Sequence, residues 1–448
     1  SPTSSIGSLR FILTMSVNFL LKPYQMDVKS AFLNSKPRYD NYVRLPEGFT
    51  YQKSQFAYLL KNIYGTRDAA RGWYEDQHAF LMKTYPNLIR CTMEPCLYYL
   101  FSPTLIIFII VTVDDYGVAT NSKSWYTEFV KTYSATYECK DLGQMSLYNG
   151  IKVNIYSPSF LMLSQQREIL DLIARFDMKD CNIARTPMES NFATDVHTAN
   201  LEFDDPNYAL PIFDFSSAIG SLLWIARMTR PDILYSVITL ASYTKRFTAF
   251  HITAVKRIVR YLKGTLNLGL RFLRSDDLST SNTLDLRTLC DADWGGDIGT
   301  RRSCSGAVTT IFGSFISATC KKQDIVALST TEAELIALTE GAKDLKSVYN
   351  VIYEMQKVAD CPFTWPEHLP IYTDNVAAQF IATNRVHNNR TRHIDIRYMF
   401  IRDLIEQLNV KVLRVESSVN TSDIFTKALP YVTFIIHRAG LGVVPLPD

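Results

Sequence analysis

Leu105-Ile106-Ile107-Phe108-Ile109-Ile110-Val111-Thr112-Val113 is an apolar and β-branched run that ends at two adjacent carboxylates, Asp114 and Asp115. A bilayer span needs roughly 20 apolar residues, and this run is too short for one. Ser102 and Pro103 break its upstream extension from Leu97. Its β-branching makes it a buried strand. A second apolar run, Tyr116-Gly117-Val118-Ala119, follows at once, so the two acids sit at a tight hairpin between hydrophobic strands. Adjacent carboxylates repel each other there. A divalent cation would remove that repulsion and give the pair a use; on these residues alone a solvated acidic turn reads equally well.

At 448 residues the chain has room for about two to four domains. Hydrophobic residues make up 47% and charged residues 20%, a globular balance that excludes a largely disordered or fibrous chain. Lys and Arg total 47 against 44 acids, a net charge of +3, so any basic surface must be local. The 8 cysteines are scattered without a Cys-x-x-Cys pair, which reads as reduced thiols in an intracellular protein rather than a disulfide framework or zinc site. The chain begins with Ser1 rather than Met and is read as a fragment or processed piece. The stretch from Ser8 to Leu20 lacks signal-peptide marks, and Leu9, Ile12, Leu13, Ser16 and Leu20 fall on one face of a helix.

Three zones follow one another. Residues 1–187 mix apolar strands and helices, and 188–210 are polar, acidic and weakly periodic, as in a linker. Residues 211–272 predict helices at Phe215–Met228, Asp232–Tyr243 and Ile252–Leu262. After the polar stretch Arg274–Asn282, the segment from Leu284 to Pro430 reads as three strands, then helix, strand, helix, strand and helix.

A third acid, Asp27, stands in Gln25-Met26-Asp27-Val28-Lys29-Ser30-Ala31-Phe32-Leu33-Asn34, ahead of Leu45-Pro46-Glu47-Gly48-Phe49. With Lys61-Asn62-Ile63-Tyr64-Gly65 through Trp73-Tyr74, Lys140-Asp141-Leu142-Gly143, Gly150-Ile151-Lys152-Val153, Thr229-Arg230-Pro231-Asp232-Ile233 and Lys256 through Thr265, the chain resembles the Pol polyprotein of copia-type long-terminal-repeat retrotransposons. The likeness covers nearly the whole chain in the family's order. It implies a reverse transcriptase palm in which Asp27 and Asp114 hold two metal ions, Mg²⁺ or Mn²⁺, with Asp115 in support. It also implies that Phe32 blocks a ribose 2′-hydroxyl and that Gly65 lets the backbone approach the nucleotide. Thr112, Asp68 and Thr66-Arg67 depart from the family's tyrosine, glutamine and leucine-lysine. Only 26 residues precede Asp27, so the resemblance implies an N-terminally truncated chain with incomplete fingers.

Asp291-Ala292-Asp293-Trp294 at a strand end, Glu334 in a helix, Asp374 after Ile371-Tyr372-Thr373 and Asp423 at the head of a last helix in Ser422-Asp423-Ile424-Phe425-Thr426-Lys427 resemble the family's ribonuclease H domain. There, Asp291, Glu334, Asp374 and Asp423 would hold two metals, with Asp293 and Asp395 ranked behind Asp291 and Asp423. Ser329-x-x-Glu332 and Thr331-x-x-Glu334 both read as capping boxes; the first register frees Glu334 for metal. His393 also matches the family and is read as a structural histidine before a nucleic-acid contact. Lys256, Arg257, Arg260 and Lys263 lie opposite the apolar positions 252, 255, 259 and 262, and with Arg301 and Arg302 they are candidate phosphate contacts.

The resulting expectation is an α+β and α/β multidomain chain: a reverse transcriptase palm with incomplete fingers over 1–187, a linker and helical connection over 188–283, a ribonuclease H-like mixed sheet with helices over 284–430, and a tail over 431–448. Its substrates would be an RNA template, a DNA primer, deoxynucleoside triphosphates and an RNA–DNA hybrid. Integrase and capsid would be fellow polyprotein products, the setting cytoplasmic virus-like particles or the nucleus, and no membrane is involved. The rival expectation is a remnant that binds nucleic acid and is silent, or active only as a nuclease.

Overall fold

The computed structural model describes residues 2–48, 56–200, 212–279, 281–384 and 395–447. They form two compact units, residues 1–149 with 351–362, and residues 150–350 with 363–448.

The first unit runs α1 (Ile6–Asn18), β1 (Lys22–Val28), the hairpin β2 (Tyr42–Arg44) and β3 (Phe56–Tyr58), α2 (Ala69–Thr84), β4 (Ile89–Arg90), β5 (Leu97–Ser102), β6 (Leu105–Thr112), β7 (Asp115–Thr120), α3 (Lys123–Ser134), β8 (Cys139–Gln144) and β9 (Leu147–Tyr148). Its main sheet is antiparallel in the order β4-β5-β6-β7-β1-β8. Strand alternation splits the side chains between its faces. Met26, Val28, Ile107, Ile109, Val111, Tyr116 and Val118 join a core with Trp73 and Leu81 of α2 and with Tyr126, Phe129 and Tyr133 of α3. On the other face, Phe108 meets Phe11 of α1 edge to face at 5.8 Å. Both faces of β6 are therefore covered, which is why its sequence is apolar without alternation.

α1 departs from the one-faced helix predicted for it. Every residue from Ser8 to Asn18 is buried, and Leu20 lies past its end at 44% exposure. Two of its buried polar side chains, Ser16 and Asn18, are satisfied within the helix, donating to the Ile12 and Thr14 carbonyls at 2.8 Å each.

The second unit contains β10 (Ile151–Ser157), β11 (Phe160–Ser164), α4 (Gln166–Arg175), α5 (Phe192–Asn200), α6 (Phe215–Met228), α7 (Leu234–Ala241), α8 (Ala249–Gly264), β12 (Leu268–Leu273), β13 (Leu286–Ala292), β14 (Cys304–Ile311), β15 (Ser314–Lys322), most of α9 (Thr330–Gln356), β16 (Leu369–Thr373), α10 (Val376–Thr383), α11 (Asp395–Leu408), β17 (Val410–Arg414), α12 (Tyr431–Gly440) and β18 (Val443–Pro445). Strand β11 pairs antiparallel with β10 and β12, and β12 with β18. A second sheet has the order β15-β14-β13-β16-β17; β13 to β15 form an antiparallel meander, and β16 runs parallel to β13 and β17. Because β13 and β16 are parallel neighbours, residues following both strands emerge at one end of the sheet.

The helix at Phe215–Met228 matches its predicted range. The next begins later than predicted, at Leu234, because Pro231 opens a 3-10 turn over Pro231–Ile233. α5 occupies part of the stretch read as a linker; its Phe192 and Val196 are buried, a long-range packing that weak periodicity did not reveal. The remainder of that stretch, 201–210, and His393 lie outside the described residues.

The Thr229–Ile233 motif is a buried electrostatic knot. Arg230, fully buried, grips Asp232 with two bonds at 3.0 and 2.8 Å and donates to the Thr265 carbonyl and hydroxyl. Tyr261 of α8 donates to the same Asp232 at 2.6 Å. Breaking such a fully paired ion pair commonly costs about 3–5 kcal/mol, so the motif fastens helices together.

Candidate functional site

In the first unit, β6 turns into β7 through Val113 and Asp114 alone, since Thr112 pairs with Asp115. Val113 adopts φ 58, a strained value for a β-branched residue. Trp73 holds the turn by donating its indole N–H to the Val113 carbonyl at 2.7 Å, and the Val28 N–H donates to the Asp114 carbonyl at 2.9 Å. Asp27 is the direct cross-strand partner of Asp115, so these two acids share a face of the sheet. Gln25, two residues before Asp27 and on the same face, donates to Asp115 Oδ1 at 3.4 Å.

Burial first, and neighbouring carboxylates after it, raise Asp114 and Asp115 above the usual carboxylate range. Tyr64 also feels the charges of Asp114 and Asp27, and its ring packs on Phe32 at 4.6 Å. Phe32 itself lies in a 3-10 turn, Ala31–Asn34, five residues after Asp27. Gly65 has φ 95 with open space around it, a conformation that favours glycine. Thr112, standing where the family has a tyrosine, shares a 3.0 Å bond with the Tyr148 hydroxyl, so a tyrosine reaches this hairpin from elsewhere in the chain.

The second unit makes a tighter cluster. One carboxylate oxygen each from Asp291, Glu334 and Asp374 lies within 4.8 Å of the others. β13 supplies Asp291 at its end, β16 hands over to Asp374, and α9 carries Glu334 beneath them. The helix register follows from its start. Ser329 Oγ accepts from Glu332 N at 3.1 Å, and Glu332 accepts from Leu328 N at 2.7 Å, so Glu332 serves the helix terminus. Glu334 instead accepts from the Ala292 N–H at 3.3 Å and the Thr373 hydroxyl at 3.4 Å. Thr426 fixes Asp291 at 2.7 Å, and Ser417 fixes Asp374 at 2.6 Å.

Burial, then Asp291 and Asp374, push Glu334 up to about 9; burial, then Asp423, push Asp291 up to about 7. A buried set of hard oxygen donors that resists ionising together suits a divalent cation such as Mg²⁺ or Mn²⁺. Asp293 is drawn aside, accepting from the Cys304 N–H.

Asp423 was predicted to head the last helix. It sits instead in a 3-10 turn, Thr421–Phe425, and α12 begins only after Pro430. It interacts with Asp291 but is also ion-paired to Lys427, with buried His437 at 3.9 Å on its other oxygen. Asp395 opens α11.

Gln25, Tyr64, Thr426, Ser417, Lys427 and His437 were not picked out as site residues from the sequence. For two the signal was present: Gln25 is two residues before Asp27 on a strand, and Lys427 is four residues after Asp423.

The basic face of α8 is engaged by its own chain. Arg257 pairs with Glu189 at 2.5 Å, Arg260 donates to the Asn182 carbonyl at 2.6 Å, and Lys263 donates to the Lys179 and Cys181 carbonyls. These donors satisfy carbonyls that no regular element pairs. Lys256, Arg301 and Arg302 are exposed. Among the described residues no helix is long and apolar enough to cross a membrane.

A family model described as "Reverse transcriptase (RNA-dependent DNA polymerase)" matches residues 1–190. The chain is 31% identical over 448 residues to the retrovirus-related Pol polyprotein from transposon TNT 1-94 of Nicotiana tabacum, covering 99% of this chain and 32% of that protein. It is 31% identical over 450 residues to the corresponding polyprotein from transposon RE1 of Arabidopsis thaliana, covering 100% of this chain and 29% of that protein. The chain thus spans about a third of the length of these curated relatives. A solved RNase H1 from Halobacterium salinarum aligns with 32% of this chain and 93% of its own at 12% identity and TM-score 0.24, too low to bear on the fold.

Proposed function

The chain belongs to the reverse transcriptase family of copia-type retrotransposon Pol polyproteins, and from that premise we propose that it is an RNA-directed DNA polymerase joined to an RNA–DNA hybrid ribonuclease. The polymerase lies within 1–187 and the nuclease within 284–430, with 188–283 as linker and helical connection and 431–448 as a tail. The observation that carries the nuclease reading is the convergence of Asp291, Glu334 and Asp374 within 4.8 Å from three separate elements. Asp27 opposite Asp115, with Asp114 at the intervening turn, supports the polymerase reading.

The substrates are a template-primer with deoxynucleoside triphosphates in one unit and a hybrid in the other, acting beside the other products of the polyprotein. Divalent ions, a pair at each site, would supply Lewis acidity and neutralise charge on the phosphate. The chain's own part is positional. Gln25 orients Asp115, while Thr426, Ser417 and the Ala292 N–H orient the acids of the second set. Phe32 and Tyr64 form the apolar wall against which a deoxyribose is chosen over a ribose. Lys256, Arg301 and Arg302 offer exposed charge to phosphates; Arg257, Arg260 and Lys263 do so from side chains already tied to 179–189.

A nuclease-only protein is the second reading. It is favoured because, among the described residues, the acids of the first unit do not draw as close together as those of the second. The test is cleavage of a labelled RNA–DNA hybrid by the full chain with Mg²⁺ or Mn²⁺, beside primer extension on an RNA template. Cleavage that Asp374→Asn abolishes, with extension that Asp114→Asn abolishes, is expected. A folded parent that binds the hybrid and never cuts it would overturn the nuclease assignment.

A further inference from the structure

The carboxylate set of the second unit already holds a cation of its own. Lys427 follows Asp423 by four residues, just past the 3-10 turn, and is ion-paired to Asp423 Oδ1. Its charge is felt by Asp291, Asp293 and Asp374 as well. The other Asp423 oxygen faces His437 Nε2 at 3.9 Å, and neither nitrogen of that buried ring has a hydrogen-bond partner among the described residues. Asp423 is therefore the one acid of the four whose carboxylate is committed to a side-chain cation. Asp291, Glu334 and Asp374 draw within 4.8 Å without it.

Resting on the metal-site reading above, we propose that the Lys427 ammonium is a resident counter-ion that occupies the seat of a second divalent cation, so that ions load in order. The first ion goes to Asp291, Glu334 and Asp374. The second reaches Asp423 only by displacing Lys427. Three physical facts make the exchange workable. The Lys427 side chain is half exposed, and its four-carbon stem is flexible, so the ammonium can swing to water without moving the backbone. Asp423 stays in place because its 3-10 turn packs against β14 at Gly306, where an added Cβ would meet the Ser422 carbonyl at 2.7 Å. Finally, four carboxylates around one divalent ion leave surplus negative charge, which a monovalent ammonium offsets in part and a second divalent ion offsets more fully. Lys427 thereby raises the divalent concentration at which the doubly loaded site forms.

The test is calorimetric titration with Mn²⁺ alone, on the full chain carrying Asp27→Asn, Asp114→Asn and Asp115→Asn to silence the other acid set. In this parent the second ion should be absent or weaker than the first by about tenfold or more. Lys427→Met should tighten the second ion by about tenfold or more, and Lys427→Arg should keep the parent's behaviour. Lys427→Gln serves as a second neutral variant, with melting curves checking the fold of each. An unchanged second step in both neutral variants, with Glu334→Gln still removing the first ion, overturns the counter-ion role and leaves the metal site standing. If Glu334→Gln and Asp374→Asn do not alter Mn²⁺ binding at all, the metal-site reading fails, and this proposal with it.

Discussion

Asp27 and Asp115 face each other as directly paired residues on neighbouring antiparallel strands, with the strained Val113–Asp114 turn beside them. Acids far apart in the chain thus share one face at one end of a sheet whose opposite face is packed with aromatic side chains. An isolated acidic turn needs no such partner. The end of β1 laid against the hairpin brings a third carboxylate, Asp27, beside the two neighbouring ones.

Neutralising Asp27 should therefore damage polymerisation without unfolding the unit, since its carboxylate is partly exposed and β1 is held by both neighbours. Asp27→Asn is expected to lower extension of a DNA primer on an RNA template by more than about tenfold, or roughly 1.4 kcal/mol of barrier. Circular dichroism and melting temperature should stay close to the parent's. Extension within twofold of the parent would remove Asp27 from the site.

Gly306 provides a test of how the second unit is assembled. A methyl group there would press on the Ser422 carbonyl and Thr426 Cγ2, each at 2.7 Å, so the Asp423-bearing turn would have to lift from β14. Overpacking of this kind costs about 1–3 kcal/mol. Gly306→Ala should lower the denaturant midpoint by a corresponding amount and loosen the Thr426 hold on Asp291, reducing hybrid cleavage as well. Wild-type stability with wild-type cleavage would show that the turn does not depend on this contact.

Much of this was legible in the residues because it is local. β-branched runs marked β6, and Ser329 with Glu332 marked the start of α9 just ahead of Glu334. The elements that were misread depend on distant partners. α1 carries a helical pattern, but only the sheet beneath it explains why Ser16 and Asn18 are buried too. α5 has weak periodicity and is held through Phe192 and Val196. The intrachain partners of the basic face of α8 were not legible either, because nothing in its own sequence announces the 179–189 carbonyls that Arg260 and Lys263 bind. Asp423 was read as heading the last helix; the chain takes a 3-10 turn there, and α12 begins only after Pro430.

The raised acids of the second unit give a signed dependence on pH. Glu334 moves from 4.5 to about 9 and Asp291 from 3.8 to about 7 on folding, both mainly through burial. Between the unfolded and folded values the folded chain binds more protons, so stability falls as pH rises. Buried His437 and His251, both lowered by burial, act in the opposite sense, but at and below the ordinary histidine value of 6.5. Metal-free melting temperature should therefore fall from about pH 7 to about pH 9, and Glu334→Gln should flatten the fall. Mn²⁺ should raise the melting temperature more at the upper end, where the acids are charged. A metal-free melting curve that rises over this window would contradict the shifts.

Glu332 and Glu334 lie two residues apart on one helix, both almost fully buried, yet their partners give them different work. Glu332 accepts from Leu328 N beside the Ser329 cap, at the positive end of the helix dipole. Glu332→Gln keeps an acceptor and loses the charge, so it should cost about 0.5–2 kcal/mol of stability and leave turnover of a labelled hybrid nearly unchanged. Among the described residues Glu334 accepts from Ala292 N and Thr373 Oγ1, both at the end of the sheet that holds Asp291 and Asp374. At about pH 8 the fold holds Glu334 largely protonated while the unfolded chain ionises it, and Glu334→Gln removes that cost, so the metal-free chain should be no less stable. Cleavage, however, should fall by more than about tenfold. Stability and turnover measured on both variants therefore separate the roles: one loses stability and keeps activity, the other the reverse. If Glu332→Gln abolishes cleavage in a well-folded chain while Glu334→Gln does not, the site is built on the other glutamate and the metal assignment shifts by two residues along α9.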